Sequence, residues 1–450
     1  MLYYYIKFYF KFILMSLSII VLAAGKGSRM VSRTPKVFHE VGNYPMLFHV
    51  LDTSFSFKKS ITNLVISKSL FNYKNLLKKK YKNLKFTTQI SQKGTADAVK
   101  SALKISNTGK TGITLVVYGD TPLISKKTLT NALNKFKKNN LDLCVISMKP
   151  PKKENSYGKL KFLKNKLIGI VEQSELKNKS SSLNICNSGI MIFKTKPLTD
   201  NIKFVTNKNV KNEYYLTDLV EIFRKKNLLV DHFLCNFTET LGVNSMIELA
   251  EVNYQFQKDR RDYFLKKGVF MHAPETVYFS FDTRIGKDVV IQPNVFFGQS
   301  VEIKNEVIIK SFSYLDNVKV HNKVIIGPFA RIRDGVEIND DAKVGNFVEI
   351  KKSRIGKNVK ISHLSYAGDS IINENSNIGA GAITCNYDGV KKNKTIIGEN
   401  CFIGSNSSLV APLRIKKGSV IGAGTVVNQD IPIETIVYRK SELIKKNKKK

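Results

Sequence analysis

From Ile285 to Val427 apolar residues return at every sixth position. They stand at Ile285, Ile291, Phe297, Ile303, Ile309 and Leu315, then at Val320, Ile326, Ile332, Ile338, Val344 and Ile350. After short phase slips the series resumes at Ile355 and Ile361, at Ile372 and Ile378, and at Ile397, Ile403, Leu409, Ile415, Ile421 and Val427. Glycine often follows, as at Gly286, Gly327, Gly345, Gly356, Gly379, Gly398, Gly404 and Gly422. No α-helix or coiled coil has a period of six, whereas a hexapeptide β-helix does. Each inward residue then stacks on its equivalent in the next coil, about 4.8 Å away. Between 378 and 397 the period breaks around TCNYDGVKKNK. That break predicts a loop leaving the coil, and loops held on rigid frames are where function concentrates.

Upstream the pattern is different. Short apolar runs at Ile19–Leu22, Leu64–Ile66, Thr114–Val117, Leu143–Ser147 and Ile190–Phe193 alternate with helix-like stretches such as Ala96–Ile105 and Ser125–Lys137. Alternation of this kind predicts a sheet covered by helices on both faces. The first run continues as SIIVLAAGKGSRM, a buried strand entering a small, glycine-rich, basic segment. The spacing is neither that of a P-loop nor that of a dinucleotide fingerprint. A tight strand-to-loop turn and a phosphate-binding loop therefore both remain open. Near residue 245 a connecting helix begins, with Ser245 and Glu248 spaced as a capping box and Gly268 as the stop. The expected organisation is an extension or mis-called start over 1–14, a first domain over 15–244, a linker helix over 245–267, a β-helix over 268–436 and a basic tail over 437–450.

The 73 lysines and arginines against 36 acidic residues give a net charge of +37. The lysines are spread along the whole chain with abundant Asn, Ile, Phe and Tyr, which predicts a solvated basic surface and anionic substrates, with no nucleic-acid partner. Five cysteines at 144, 186, 235, 385 and 401 lack any CxxC pair, so neither a disulfide framework nor a zinc site is expected and a reducing cytoplasm fits. MLYYYIKFYFKFIL is too short to span a bilayer and is interrupted by Lys7 and Lys11. No membrane association is expected, and a chain starting at Met15 should retain both folding and activity.

The segment LAAGKGSRMVSRTPK resembles the signature of sugar-1-phosphate nucleotidylyltransferases. QISQKGTADA, VYGDTPLI, SYGKL, GIVEQ, CNSGIMIF, EYYLTDLV and GVN follow in the same order, and NFVEIKKSRIG, HLSYAGDS and GAGAITCNYDGVKKNKTIIG lie within the hexapeptides. Together they resemble the bifunctional N-acetylglucosamine-1-phosphate uridylyltransferase/glucosamine-1-phosphate acetyltransferase family over nearly all of Met15 to Arg439. The resemblance implies an α/β chain with an N-terminal Rossmann-like domain, a linking helix and a C-terminal left-handed parallel β-helix that assembles as a homotrimer. It implies a first chemistry in which UTP and N-acetylglucosamine 1-phosphate are joined with release of pyrophosphate. Arg29 and Lys36 would neutralise charge on the phosphates. Leu22, Ala23, Ala24 and Gly25 would line the nucleotide loop, and Gln89, Gly94 and Thr95 the uracil and ribose side. Gly158, Glu172 and Asn187 would form the sugar pocket, and Asp120 and Asn244 would ligate Mg²⁺, a hard cation suited to oxygen donors.

The second implied chemistry transfers acetyl from acetyl-CoA to the amine of glucosamine 1-phosphate. An amine attacks only when unprotonated, so a base titrating near neutrality is useful. His363, the only histidine among the later hexapeptides, matches that base. Arg333, Lys351, Tyr366, Asn377 and Lys392 match contacts to the sugar phosphate. Ala380, Asn386, Tyr387, Ser405, Ala423 and Arg439 match contacts to acetyl-CoA. The chain departs from the family pattern in having Ala96 and Asp97 in GTADA where GTGHA is usual, Lys159 where arginine is common, and Asp334 in place of proline. The early β-helix is about one coil short, and the short tail bears on Arg439. The competing reading is a single-activity sugar-1-phosphate nucleotidylyltransferase whose β-helix serves only in assembly. His363 and the NYDG loop count against it. A regulatory protein of the same architecture would have lost the loop and metal-ligand residues that are intact here.

Overall fold

The computed structural model describes residues 16–105, 112–151, 157–172, 175, 184–440 and 444–446; residues 1–14, and residues 441–443 and 447–450 of the tail, lie outside them. The chain divides into two compact units, Met1–Gln255 and Phe256–Lys450, the division falling within the helix Met246–Lys266.

In the first unit the apolar runs form strands β1 (Leu17–Leu22), β2 (Ile61–Ile66), β3 (Lys85–Thr88), β4 (Ile113–Tyr118) and β5 (Leu143–Met148). β6 (Lys159–Leu163), β7 (Lys166–Val171), β8 (Cys186–Lys194) and β9 (Val230–Leu234) complete the sheet. The central order is β3-β2-β1-β4-β8-β5-β9. Pairing is parallel except for β8, which runs antiparallel to both β4 and β5. β6 and β7 form a hairpin joined to the start of β8. The sequence pattern marked β8 as a strand but carried no information on its direction, and the hairpin escaped it because Lys159, Lys161 and Lys166 interrupt its apolar residues. Ile20, Leu22, Val65 and Val116 pack with Ala98, Val99 and Ala102 of the helix Thr95–Ile105. Ile19 and Val21 are also fully buried, as expected of strands covered on both faces. The helix Lys126–Lys138 starts where Ser125 accepts a hydrogen bond from Thr128 N at 3.1 Å.

The second unit is a parallel β-helix. One face is a ten-stranded sheet; the other two are joined in a 14-stranded sheet because strands Tyr314–Val320 and Arg331–Ile338 run on around a corner. Every residue of the six-period series is buried except Ile285, which is partly so. Each contributes about 1.5–3 kcal/mol by burial. Two rungs that the apolar pattern skipped are filled by Ala367 and Thr384, aligned with Ile350 and Leu409. The Thr384 hydroxyl is satisfied there by accepting from Gly368 N at 2.8 Å.

Corners fall two or three residues past each inward residue and take left-handed φ, for example at Asp288 (56°), Asn294 (60°), Asn358 (56°) and Asn406 (56°). Asn and Asp tolerate that region best among non-glycine residues, which relates the chain's asparagine richness to its architecture. The glycine after the inward residue answers a different need. A Cβ on Gly345 would clash with the backbone of Ser362 in the next coil, and one on Gly404 with that of Ala423. At the start of the stack Phe264 packs on Phe279 at 4.8 Å between ring centroids, and Phe279 on Phe297 at 5.1 Å.

The predicted capping box is present in both directions: Ser245 N donates to Glu248 Oε2 at 3.1 Å and Glu248 N to Ser245 Oγ at 3.3 Å. Gly268 ends the helix at φ 87°. Among the described residues no helix is long and apolar enough to cross a membrane.

Candidate active sites

β1 is held between two parallel neighbours, and its carboxyl end releases the glycine-rich segment above the sheet. Ala23 N donates to Val65 O and Gly119 N to Leu22 O, each at 2.9 Å, which fixes the point of departure. Gly27 sits at φ 64°, with Lys36 against its α-carbon, whereas a Cβ on Gly25 would meet nothing within 4 Å. The backbone at Gly25 is thus open to a ligand. A cavity of about 510 Å³ lies here, lined by Leu22, Ala23, Ala24, Gly25, Arg29, Lys36, Gln89, Gly94, Thr95, Asp120 and Asn244, all anticipated from the sequence. Tyr118, Lys26 and Gln92 join them.

The Lys36 ammonium donates to Asp120 Oδ2 and, at 3.2 Å, to Asn244 Oδ1. Asn244 is placed by the helix cap, its N–H donating to Glu248 Oε2 at 2.5 Å, and Asp120 by Val243 N donating to its carbonyl at 3.0 Å. Two hard oxygens therefore converge on one cation at the mouth of the loop. Among the described residues there is no group of three or more His, Cys, Asp or Glu side chains able to hold a metal. A two-donor site suits Mg²⁺, which keeps several waters and takes substrate phosphates as further ligands.

Gly158, Glu172 and Asn187 come together on the β6–β8 side. Asn187 N donates to Gly158 O at 2.8 Å, and a Cβ on Gly158 would press on Glu172 Oε2 at 3.2 Å. Burial pushes the Glu172 carboxyl up, opposed by the Thr217 hydroxyl that donates to it at 2.9 Å. Tyr118 links this trio to the larger cavity: its buried phenol feels both Asp120 and Glu172 and is pushed up, burial being the larger cause. Tyr118 lies within the motif VYGDTPLI, but the sequence assigned it no role.

In the β-helix His363 stands two residues past an inward aliphatic residue, Ile361, and so do Asn346, Ala380, Ser405, Ala423 and Arg439 past theirs in neighbouring coils. The base and four of the acetyl-CoA residues anticipated from the sequence thus form one column along a corner. His363 Nδ1 lies 2.5 Å from Asn346 Oδ1. With that oxygen accepting from Nδ1–H, Nε2 carries the lone pair. Asn346 was missed, although its position 17 residues before His363, one coil length, was a readable signal.

Arg333 and Lys351 are register partners. Arg333 donates to Glu349 Oε1 at 2.9 Å and to Asp334 Oδ2 at 2.8 Å, and Lys351 lies 3.3 Å from the same Asp334 oxygen. Asp334 has φ 62°, which proline cannot adopt, so the departure from the family pattern fits the backbone. The neighbouring Lys351 ammonium holds Lys392 below the ordinary lysine value. Tyr366 and Asn386 meet over Gly368, where a Cβ would strike both side chains. Asn386 donates to Asp369 at 2.6 Å, and Tyr387 is exposed on the loop. Asn393 N donates to Asn386 O at 2.8 Å and closes the neck of that loop. Asn377 stands apart, on the face between Lys360 and Phe402. Within one chain Lys351 ends strand Glu349–Lys351, whereas His363 precedes its neighbour Tyr366–Gly368, so the cations and the base flank a strand face and are not in contact.

A nucleotide-binding α/β unit followed by a hexapeptide β-helix defines a two-domain transferase. Residues 18–236 match the nucleotidyl transferase family model, 394–429 the hexapeptide repeat of succinyl-transferase, and 314–406 the GMPPB C-terminal domain. Bifunctional protein GlmU of Zymomonas mobilis is 40% identical over 429 residues, 94% of each chain. That of Wolbachia pipientis is 39% identical over 95% of this chain and 97% of its own, and that of Bartonella bacilliformis 40% over 95% of each. The chain belongs to the GlmU family of bifunctional proteins.

Proposed function

We propose that the cavity above β1 joins UTP to N-acetylglucosamine 1-phosphate and that the β-helix acetylates glucosamine 1-phosphate from acetyl-CoA. In the first reaction a phosphate oxygen of the sugar attacks the α-phosphorus of UTP, and the bond to the leaving pyrophosphate breaks. Charge grows on the α-phosphate and the leaving group, so positioning and electrostatics dominate. Arg29 and Lys36 neutralise that charge, and Gly25 lets the backbone approach the phosphates. Asp120 and Asn244 would hold Mg²⁺, which when bound supplies further charge neutralisation. Glu172 and Asn187 orient the sugar. The observation that carries this reading is the convergence of the Asp120 and Asn244 oxygens on one cation beside the glycine loop.

In the second reaction His363 Nε2 takes the proton from the attacking amine, the new C–N bond forms, the thioester C–S bond breaks, and coenzyme A leaves as a thiolate that takes up that proton. Arg333, Lys351 and Lys392 face the phosphate and Tyr366 the sugar, whereas Asn377, on another face of the same chain, is matched to the sugar by the family resemblance alone. The column of Ala380, Ser405, Ala423 and Arg439, with Asn386 and Tyr387, holds acetyl-CoA. The β-helix assembles as a homotrimer. The support is a ladder of outward rings along one corner, Phe312 on Phe329 at 4.9 Å and Phe329 on Phe347 at 5.1 Å, each about half exposed. Burying such a stripe about a threefold axis closes the assembly. It also brings a second copy to the edge where His363 stands.

The test is a mixed assay with UTP, glucosamine 1-phosphate, acetyl-CoA and Mg²⁺ that follows free thiol and pyrophosphate separately. Both products are expected. A single-activity nucleotidylyltransferase gives no thiol, and a regulatory protein gives neither.

A further inference from the structure

We propose that Asp97 selects the nucleobase, as a positioning residue that locks the amide of Gln89. The inference rests on the reading of the cavity as a UTP site. Gln89 follows β3, is 6% exposed and lines the cavity. Its backbone N–H donates to Ile66 O at 2.9 Å. Its Nε2 donates to Gly94 O at 3.0 Å and to Asp97 Oδ2 at 2.8 Å. A carbonyl and a carboxylate have no hydrogen to give in return, so the amide cannot be turned over: its NH₂ group must face them, and both hydrogens are used. What Gln89 has left to offer a ligand is Oε1, which can only accept.

Uracil presents an N3–H donor between two carbonyls, whereas cytosine presents a lone pair at N3. A fixed acceptor therefore pairs with uracil and faces cytosine N3 with like polarity, and such mismatches at buried polar groups discriminate strongly. A glutamine free to turn would offer its NH₂ to cytosine equally well. Asp97 is itself held in place. It lies in the first turn of the helix Thr95–Ile105, where the positive end of the helix favours a carboxylate. Gly94, the other partner, is fixed at φ 116° with the Tyr214 backbone against its α-carbon, so no other residue fits there. Asp97 is one of the two positions at which GTADA departs from the pattern of the resembled family. The departure thus supplies an anchor for the base-reading side chain.

The experiment measures pyrophosphate release by the full chain with UTP, CTP and N3-methyl-UTP, with acetyl transfer as an internal standard for enzyme concentration. The unaltered chain should strongly prefer UTP and reject N3-methyl-UTP. In Asp97→Ala the KM for UTP should rise about tenfold with the loss falling on KM more than on kcat, and the UTP-to-CTP ratio of kcat/KM should fall about tenfold. Asp97→Asn keeps the size and one acceptor oxygen but can turn its own amide, and should lower the ratio by a smaller factor, about threefold. Thermal unfolding of both variants reports whether the domain is intact, which a change in base selectivity alone does not require. A ratio unchanged within about twofold in both variants overturns the role of Asp97. Absence of UTP-dependent pyrophosphate release from the unaltered chain overturns instead the reading on which it rests.

Discussion

Lys36 meets oxygens drawn from 84 and 208 residues along the chain, and this convergence makes the charge balance of the first site sensitive to single substitutions. Asp120→Ala should collapse pyrophosphate release and leave acetyl transfer close to normal, measured on one preparation with both readouts. His363→Ala should do the reverse, with a loss of about 10² to 10⁴ in acetyl transfer. Asp334 accepts from Arg333 and Lys351, two of the cations proposed to face the sugar phosphate. Asp334→Asn should loosen Lys351 and one arm of Arg333, whose other arm stays on Glu349, and lower the KM for glucosamine 1-phosphate about threefold to tenfold in steady-state assays. Asp218 is raised to about 6 by burial and by the carboxylates of Glu175, Glu172 and Glu221. A raised folded-state value means that the folded chain binds this proton more tightly than the unfolded chain. The penalty is therefore absent below about pH 4 and fully present above about pH 6. Asp218→Asn should stabilise the chain by on the order of 1–2 kcal/mol at pH 7.5 and by nothing measurable at pH 4, read from denaturant melts at the two pH values.

At the scale of elements, the helix Met246–Lys266 does more than connect. Glu248 caps it and also accepts from Asn244 N, which ties the residue whose Oδ1 meets the Lys36 ammonium to the helix start. Glu248→Ala should cost about 1 kcal/mol of stability. It should also raise the Mg²⁺ concentration needed for half-maximal pyrophosphate release while acetyl transfer stays constant. Both partners of this cap were legible in the sequence because the capping box is a local rule of fixed spacing. The hexapeptide series was legible for the same reason, since one inward residue per six is dictated by coil geometry. Ala367 and Thr384 were not, because a small or hydroxylated side chain can fill a rung without adding to an apolar pattern. Tyr118 and Asn346 were likewise hidden, one by lying at an ordinary strand end and the other by acting through His363.

At the scale of the molecule, the exposed ladder Phe312, Phe329 and Phe347 is the feature that a lone β-helix does not explain. Multi-angle light scattering should give the mass of three chains at micromolar concentration. Phe329→Glu should shift that mass towards one chain and lower acetyl transfer more than uridylyl transfer. The basic charge should produce only weak binding to random duplex DNA that is lost at physiological salt, checked by a salt titration.

The sequence alone determined the β-helix, the alternating α/β domain before it and the helix between them. These follow from local periodicities and caps, in which each residue's role depends on near neighbours along the chain. Through the ordered motifs of a family it also nominated candidate site residues, but not their arrangement. Only the tertiary structure decided that β8 runs antiparallel, that Asp120 and Asn244 share one cation, and that His363, Ala380, Ser405, Ala423 and Arg439 stand in a single column. Direction, convergence and side-chain pairing depend on contacts between residues far apart in sequence, and these form only when the sheets and coils are packed.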